Sequence, residues 1–187
     1  MKNSGTVRME TKRLVLRPFV IEDAGAMFRN WANDPQVTRF LSWEPHKDVE
    51  ETKKILEGWI ASYESKDFYT WAIAWREDEG NVIGSIAVPQ LNQKAGRVTV
   101  GYCLGRKWWG NGIMKEAFAE LIRFFFEVEG ANRVEALHDT RNVNSGKVMM
   151  ACGLKKEGTL RQHGWNNQGI CDECIYGMVA SDYFEGK

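Results

Sequence analysis

The clearest alternation of apolar and polar positions in the chain lies between residues 112 and 128. Apolar residues recur there at spacings of three and four, at Met114, Ala117, Phe118, Leu121, Ile122 and Phe125. Charged residues occupy the opposite face, at Lys115, Glu116, Glu120, Arg123 and Glu127. This periodicity predicts an amphipathic α-helix with one face in the core and the other in water.

A strand-like run over residues 98–104 and a glycine-rich turn precede this helix. The predicted first helical turn leaves four backbone N–H groups without intrahelical partners, those of Asn111, Gly112, Ile113 and Met114. Because Gly110 and Gly112 have no Cβ, an anion can approach this backbone closely, and the helix dipole adds to the attraction. The order strand, glycine turn and helix therefore predicts an anion-binding helix start.

The remaining elements follow from the same two periodicities. Alternation predicts four antiparallel strands in the first half of the chain, over residues 11–19, 68–75, 82–88 and 98–104. Helical spacing predicts two helices inserted after the first of these strands, one over residues 21–33 and one from Asp48, with Glu51 as the N3 partner of that N-cap. The first half is thus predicted to be an antiparallel meander with two inserted helices.

The second half continues this pattern after the long helix. A fifth strand is predicted over residues 133–139, and its strand–helix–strand connection implies a parallel pair with the fourth strand. The segment Asn142-Val143-Asn144-Ser145 should be followed by a helix through Cys152, with Gly153 ending it. Two last strands are predicted over residues 154–161 and 174–179, around a loop over residues 164–169.

Composition narrows the class of protein without naming a chemistry. The 187 residues fit one domain, 1–187, and the 25 basic residues equal the 25 acidic ones. This balance gives no global field toward nucleic acid or an anionic membrane. No apolar run reaches the roughly 18 residues needed to cross a bilayer, and residues 1–9 lack the apolar core of a signal peptide. We therefore expect a cytoplasmic protein with neither a nucleic acid nor a membrane as partner.

Four cysteines raise the question of a metal or redox site, because Cys171 and Cys174 form a C-x-x-C motif. A second such pair or a histidine pair is missing from the sequence, and the alternation around Cys174 predicts a strand, where residues three apart face opposite sides. We expect reduced thiols and no metal.

Three motifs resemble the GNAT superfamily of acyl-CoA-dependent N-acetyltransferases, in family order and at family spacing. Lys107-x-x-Gly110-x-Gly112 resembles the pyrophosphate loop Q/R-x-x-G-x-G/A, with lysine as the one departure. The start T-x-R-L-x-L-R-P over residues 11–18 and the pair Asn142-x-x-Ser145 resemble two further family elements. Together with Asp172 and Tyr176 in the last strand, the resemblance covers nearly the whole chain.

The resemblance implies an α/β (α+β) fold with a mixed central sheet of about seven strands, splayed between the fourth and fifth and flanked by about four helices. It also implies acetyl-CoA as cosubstrate, its pantetheine lying in the gap between those strands. The implied acetyl-CoA-binding residues are Tyr102, Cys103, Leu104, Lys107, Trp109, Gly110, Asn111, Gly112, Ile113, Met114, Asn142 and Ser145.

The implied reaction is attack of a neutral primary amine on the acetyl thioester, which needs a donor for the oxyanion, a donor for the leaving thiolate and a base for the amine. The resemblance assigns the thiolate to Ser145, and a backbone N–H near Cys103 or Leu104 is expected to serve the oxyanion. Base candidates are Glu44, His163, Asp172 and Glu173. We predict Ser145, Asp172 and Glu173 to be catalytic. Each of these side chains also has an ordinary alternative role, Ser145 as a helix cap and the others as structural or solvated groups.

Within the superfamily the chain is most similar to the ribosomal-protein N-terminal acetyltransferase branch. That branch carries an L-x-W-x-P-H segment beside the acceptor amine, matched here by residues 41–46. Trp43, Glu44 and His163 are accordingly the predicted substrate-binding residues, although Trp43 and His46 also fit a packed loop. The branch's usual acid after the sixth strand aligns with Gly164, a departure that leaves the base unassigned.

The implied partners are acetyl-CoA and an amine acceptor, with a protein N-terminal α-amine preferred, and the protein is expected to be a monomer or homodimer. Three alternatives remain open at this point. In the first, the acceptor is a small-molecule amine such as a polyamine, an amino acid or an antibiotic. In the second, the domain is a non-catalytic acyl-CoA-binding module. In the third, the glycine loop belongs to a nucleotide-binding oxidoreductase, an alternative that the missing third glycine disfavours.

Overall fold

The computed structural model describes residues 1–186, and its strands form one open sheet in the order β1-β2-β3-β4-β5-β6-β8-β7. Their bounds are β1 Met9–Glu10, β2 Leu14–Arg17, β3 Thr70–Trp75, β4 Gly84–Asn92, β5 Arg97–Leu104, β6 Arg133–Asp139, β7 Lys155–Asn166 and β8 Gly169–Val179. The mixed sheet is confirmed, with eight strands rather than seven because the short β1 pairs with β2.

The described residues contain six α-helices around this sheet. Their bounds are α1 Ala24–Met27, α2 Pro35–Thr38, α3 Val49–Ser62, α4 Ile113–Arg123, α5 Val143–Ala151 and α6 Ala180–Glu185. The helix predicted over residues 21–33 is composite, since a 3-10 turn precedes α1 and a π-helical segment follows it. Asp48 caps α3 as predicted, but the Glu51 carboxylate accepts from the Lys47 N–H rather than from the N-cap backbone.

The strand β3 shows how the two layers meet on the sheet. Trp71 and Ile73 belong to the core beneath α4, whereas Ala72 and Ala74 belong to the core beneath α1 and α3. All four side chains are fully buried, so both faces of β3 are covered, although alternation alone is typical of a half-buried strand. On β3 the large side chains face one layer and the alanines face the other.

The parallel pair β5–β6 is the place where the sheet opens. Their pairing runs only from Arg97 opposite Arg133 to Val100 opposite Ala136. Beyond Val100, β5 continues to Leu104 paired with β4, while β6 continues to Asp139 paired with β8. The predicted splay is confirmed.

The last two strands form a longer hairpin than predicted. Strand β7 extends to Asn166 and β8 begins at Gly169, so residues 164–166 are strand and not loop. The register shifts between Leu160 and Gly164, where Gln162 adopts a positive φ of 50°. This bulge hid the second half of β7 from sequence analysis, because it breaks the period-two pattern on which the prediction over residues 154–161 rested.

Candidate functional site

A cavity of about 140 Å³ lies where β5 and β6 part. Its walls come from both sides of the opening and from the segment after α2. The lining residues are Phe40, Leu41, Val100, Gly101, Tyr102, Leu137, His138, Asp139, Asn142, Ser145, Met149, Trp165, Asn166 and Glu173.

The register of β6 and β8 places the polar groups of the cavity on two faces of the sheet. His138 pairs with Cys174, which belongs to the core beneath α4 and α5, whereas Asp139 pairs with Glu173. Because directly opposed residues of an antiparallel pair share a face, Glu173 and His138 project to opposite sides. The opening therefore joins a face carrying the α5 residues to a face carrying the Glu173 carboxylate.

Ser145 lies in the first turn of α5, beside the Tyr102 hydroxyl. Its Oγ donates to Tyr102 Oη at 3.1 Å, and Tyr102 Oη donates to the Ser145 carbonyl at 3.0 Å. The N-cap position belongs to Asn142, whose side chain makes no capping hydrogen bond. The pairing with Tyr102 thus uses the serine hydroxyl for something other than capping. Burial raises the pKa of Tyr102 far above its ordinary value, so this phenol keeps its proton.

The Glu173 carboxylate is held at the rim of the cavity by His163. The distance from His163 Nδ1 to Glu173 Oε2 is 2.6 Å, and the imidazole itself is about half exposed. The neighbouring Asp172 carboxylate instead accepts from the Gln162 N–H at 2.8 Å and is absent from the cavity lining. Of the two predicted acids, the geometry brings only Glu173 to the site, and it brings His163 with it.

The two residues predicted from the L-x-W-x-P-H segment lie outside the cavity lining. Trp43 packs against the His46 ring at a centroid distance of 5.2 Å, and Glu44 is exposed. The side chains that reach the cavity from this segment are Phe40 and Leu41. Trp43 contributes indirectly, because its carbonyl accepts from Asn167 in the turn between β7 and β8.

The glycine loop adopts the predicted geometry at the start of α4. Gly110 and Gly112 have φ of 78° and 70°, and Gly112 is the N-cap. Glu116 donates its N–H to the Gly112 carbonyl, so the N–H groups ahead of it have no carbonyl four residues back within the helix. A Cβ at Gly110 would meet no atom within 4 Å, which leaves its backbone open to a ligand. Ile113 and Met114 bury their side chains and offer the loop only their backbone.

Arg13 connects this loop to the edge of the sheet. Its guanidinium donates to the Asn111 carbonyl at 3.2 Å and to the Glu116 carboxylate at 2.6 Å. Glu116 also accepts from the Thr11 hydroxyl at 2.6 Å. The T-x-R start and the glycine loop are therefore one hydrogen-bonded unit, which fixes the helix start and places a cation beside it.

Lys107 and Trp109 flank the loop in different ways. Lys107 is exposed, and its Nζ lies 5.6 Å from the centroid of the Trp108 ring. Trp109 donates its indole N–H to the Leu104 carbonyl at 2.7 Å, which ties the loop to the end of β5. Asn111 donates its side-chain amide to the Trp109 carbonyl at 3.1 Å. These bonds order the turn from within.

The cysteines are poor nucleophiles in this structure. Cys103 shares a hydrogen bond with Ser85, and burial raises the pKa of its thiol to about 11. Burial likewise raises the pKa of Cys152 and Cys171 to about 11. Because the thiolate is the reactive form, these three residues are unsuited to carrying an acyl group. Cys171 and Cys174 both lie in β8, as the alternation indicated for Cys174.

Sequence reasoning missed His138 and Asp139 at the end of β6. His138 is 8% exposed, and its Nδ1 lies 2.7 Å from the Asp139 carbonyl, which can only accept; Nδ1 therefore carries the proton. Its Nε2 is buried without a hydrogen-bond partner among residues 1–186. Asp139 accepts from Arg141 and from Asn166, and these bonds hold its pKa well below the ordinary value. The available signal was a polar pair ending the strand just before Asn142-x-x-Ser145.

Comparisons with known proteins agree with this geometry. A family model described as "Acetyltransferase (GNAT) domain" matches residues 13–155. The uncharacterised N-acetyltransferase YoaA of Bacillus subtilis is 32% identical over 171 residues, covering 91% of this chain and 96% of YoaA. The [ribosomal protein uS5]-alanine N-acetyltransferase of Escherichia coli is 26% identical over 193 residues, covering 99% of this chain and 97% of the relative.

A solved structure extends the match to three dimensions. A protein from T. thermophilus that is described as an acetyltransferase has a TM-score of 0.81 at 29% identity, covering 95% of this chain and 92% of the other. These matches overturn the oxidoreductase alternative. Within residues 1–186, every helix is too short or too polar to cross a bilayer. The opened sheet, the glycine loop and the matching family model together show that the chain belongs to the GNAT family and is an acetyltransferase.

Proposed function

We propose that the protein transfers the acetyl group of acetyl-CoA to a protein N-terminal α-amine. The observation that carries this proposal is the cavity at the opening of the sheet, which has Ser145 on one face and Glu173 on the other. A thioester approaching from the α5 face and an amine approaching from the opposite face would meet between them. The E. coli relative, whose name specifies N-acetylation of an alanine of ribosomal protein uS5, supports an amine on a protein as the acceptor.

The residues present fit acetyl-CoA. The open start of α4, with Gly110 and Gly112, offers backbone N–H groups to a pyrophosphate, and Arg13 adds a positive charge nearby. The unpaired edge of β5 beyond Val100 offers peptide groups to the amides of pantetheine, as an added strand would use them. When bound, acetyl-CoA supplies the acetyl group as an activated thioester.

Strand alternation selects one of the two candidate oxyanion donors. Gly105 donates its N–H to the Ile83 carbonyl, on the β4 side. Because successive peptide groups of a strand point to opposite edges, the Leu104 N–H points toward the opening and the Cys103 N–H toward β4. Leu104 is therefore the donor we assign to the developing negative charge, and Cys103 is not.

Two side chains then accept and donate the protons of the transfer. Glu173 accepts a proton from the acceptor ammonium, either directly or through one water, with His163 holding the carboxylate. Ser145 rotates its hydroxyl from Tyr102 toward the departing sulfur and donates to it. The raised pKa of Cys103, about 11, supports direct transfer rather than an acylated cysteine.

An α-amine suits this arrangement better than a lysine side chain. An α-amine with a pKa of about 8 costs about 1.4 kcal/mol to deprotonate at pH 7, whereas a lysine near 10.4 costs about 4.6 kcal/mol. The Glu173 side chain is 22% exposed at the cavity rim, so water can relay a proton to its carboxylate. A proton relay of this kind is sufficient for an α-amine and poorly matched to a lysine side chain.

The test compares kcat/KM for three acceptors at pH 7 to 9: peptides with a free N-terminus, Nα-blocked peptides with one lysine, and small amines including polyamines. We expect free N-termini to be preferred, with a rate that rises up to about pH 8. Preference for lysine or polyamines would contradict the acceptor assignment. Binding of acetyl-CoA without release of thiol for any amine would instead identify a binding module.

A further inference from the structure

The carboxylate of Glu173 occupies the space in which a side chain on Gly164 would lie. An ideal Cβ built on Gly164 would be 2.6 Å from Glu173 Oε1 and 2.9 Å from Glu173 Cγ. Real Cβ atoms do not approach other heavy atoms this closely, so the two groups exclude each other. Gly164 has a negative or extended backbone conformation, and it is the lack of a side chain, rather than a special φ, that matters here.

The β7 bulge explains how two residues from different strands compete for one space. Glu173 is opposite Leu160 in the register, and Gly164 is opposite Cys171. The register shift between Leu160 and Gly164 inserts additional residues into β7 at this point. Gly164 and Glu173 consequently meet diagonally across the pair, at the rim of the cavity.

The carboxylate is fixed on its other side by a side chain from the same bulge. His163 Nδ1 lies 2.6 Å from Glu173 Oε2, so one oxygen contacts the imidazole and the other lies over the Gly164 backbone. The position of the carboxylate is therefore set by two consecutive residues of β7. His163 supplies a hydrogen bond, and Gly164, which has no side chain, leaves space for the carboxylate.

We propose that Gly164 is a positioning residue for the acetyl transfer, because the missing side chain admits the Glu173 carboxylate to the acceptor face of the cavity. A carboxylate attached to residue 164 would reach the same place from β7, provided that Glu173 is shortened. What matters for the base is therefore the position of its carboxylate and not which strand carries it. This inference rests on the proposed role of Glu173 in the transfer to an amine.

The chemistry at that location is a simple proton transfer. The acceptor ammonium gives one proton to the Glu173 carboxylate, and the freed nitrogen pair forms the bond to the acetyl carbon, whose carbonyl oxygen becomes the oxyanion. The carbonyl re-forms as the carbon–sulfur bond breaks with its electron pair on sulfur, which receives a proton from Ser145. The nitrogen then loses its second proton to the Ser145 oxygen through solvent, and Glu173 releases its proton to solvent. A displaced carboxylate leaves the ammonium protonated, which lowers kcat rather than the affinity for acetyl-CoA.

The experiment uses the full chain with five variants: Glu173→Ala, Gly164→Ala, Gly164→Glu, the double variant Gly164→Glu/Glu173→Ala and the control Gly158→Ala. Gly158 is in the same strand, and a Cβ there would meet no atom within 4 Å. We expect Glu173→Ala to lower kcat about 100-fold and Gly164→Ala about tenfold, with Gly158→Ala unchanged. We expect the double variant to recover at least tenfold over Glu173→Ala.

Two outcomes overturn the inference: Gly164→Ala as active as Gly158→Ala, or a double variant no better than Glu173→Ala. Folding is not the obstacle, because the atoms that must move are at the end of a flexible side chain. A sixth variant, Gly164→Ala/Glu173→Ala, is compared with Gly164→Ala and Glu173→Ala by thermal unfolding, which provides a readout without activity. We expect the combination to be more stable than additivity predicts, and strict additivity overturns the steric claim. If the wild-type protein acetylates no amine and the stability effects of the two substitutions are still non-additive, the proposed function is refuted but the steric claim is not.

Discussion

The two edges of β6 differ along the length of the strand. Toward β8, pairing is continuous from Arg133 opposite Val179 to Asp139 opposite Glu173. Toward β5, pairing stops at Ala136, although both strands continue. One edge therefore holds Glu173 in place, and the other leaves the peptide groups of β5 available. The proposed acetyl transfer uses both properties at the same level of the sheet.

A bulge in β4 accounts for the open edge. The register between β4 and β5 shifts between Ala87 and Gln90, opposite Gly101 and Thr99. The bulge adds one residue to β4 and includes Pro89, whose ring lies 3.6 Å from where a Gly101 Cβ would be. Bulges bend a strand and increase the local twist, and this one lies opposite Val100, the last β5 residue that pairs with β6. The β6–β8 pair has no register shift along its length and stays closed.

The largest effect expected at the open edge is that of removing the serine hydroxyl. Ser145→Ala should lower kcat about 100-fold while changing the KM for acetyl-CoA little, because the hydroxyl is used mainly in the transition state. Ser85→Ala is the matched control: it removes a hydroxyl from the closed side of β5, where Ser85 bonds Cys103. Steady-state kinetics of both variants provide the check. Equal activities would reduce Ser145 to a structural residue.

A smaller loss is expected at the helix start. Gly112→Val should weaken CoA binding about tenfold, because the added side chain obstructs phosphate approach to the loop. Gly130, with φ of 69°, lies at the other end of the same helical segment, so Gly130→Val introduces comparable backbone strain without touching the loop. Calorimetric titration of CoA into each folded variant distinguishes obstruction of the loop from backbone strain. Similar CoA affinities of the two variants would refute the assignment of the loop as the pyrophosphate site.

The Tyr102 hydroxyl should contribute less than the Ser145 hydroxyl. Tyr102→Phe removes the group that orients Ser145 and should lower kcat about fivefold, the equivalent of one hydrogen bond of about 1 kcal/mol. Combined with Ser145→Ala, it should add little, because both changes act on one bond. A double-mutant cycle of kcat tests this. If the fold-decrease in kcat of the double variant equals the product of the two single decreases, the two hydroxyls act independently.

The mildest effect is expected at the closed edge, as a change in stability. Asp139→Asn should lower the free energy of unfolding by about 1 kcal/mol at pH 7, because Asp139 accepts from Arg141 and Asn166. These bonds lower the pKa of the folded carboxyl, so its contribution is complete above the unfolded pKa of about 3.9 and is lost as pH falls below that value. Urea unfolding should show a smaller difference in unfolding free energy between the wild type and Asp139→Asn at pH 3 than at pH 7. A difference that grows in acid would contradict the assignment.

Features encoded by short stretches were predictable from sequence. The β6 bounds, the Asp48 cap and the glycine turn with its helix match the structure because each depends on local periodicity or capping. Each family motif likewise spans only a few consecutive residues. The splay between β5 and β6 was expected from the resemblance and is observed.

The acceptor side of the site depended on contacts between distant parts of the chain. Register shifts occur between β4 and β5 and between β7 and β8, and a register shift changes which side chains meet. The glycine at position 164 looked like a missing acid, yet folding brings the Glu173 carboxylate into the space above it. In the same way Phe40 and Leu41, rather than Trp43, reach the cavity. Local patterns specify which elements form, whereas non-local strand pairing specifies which side chains share a space.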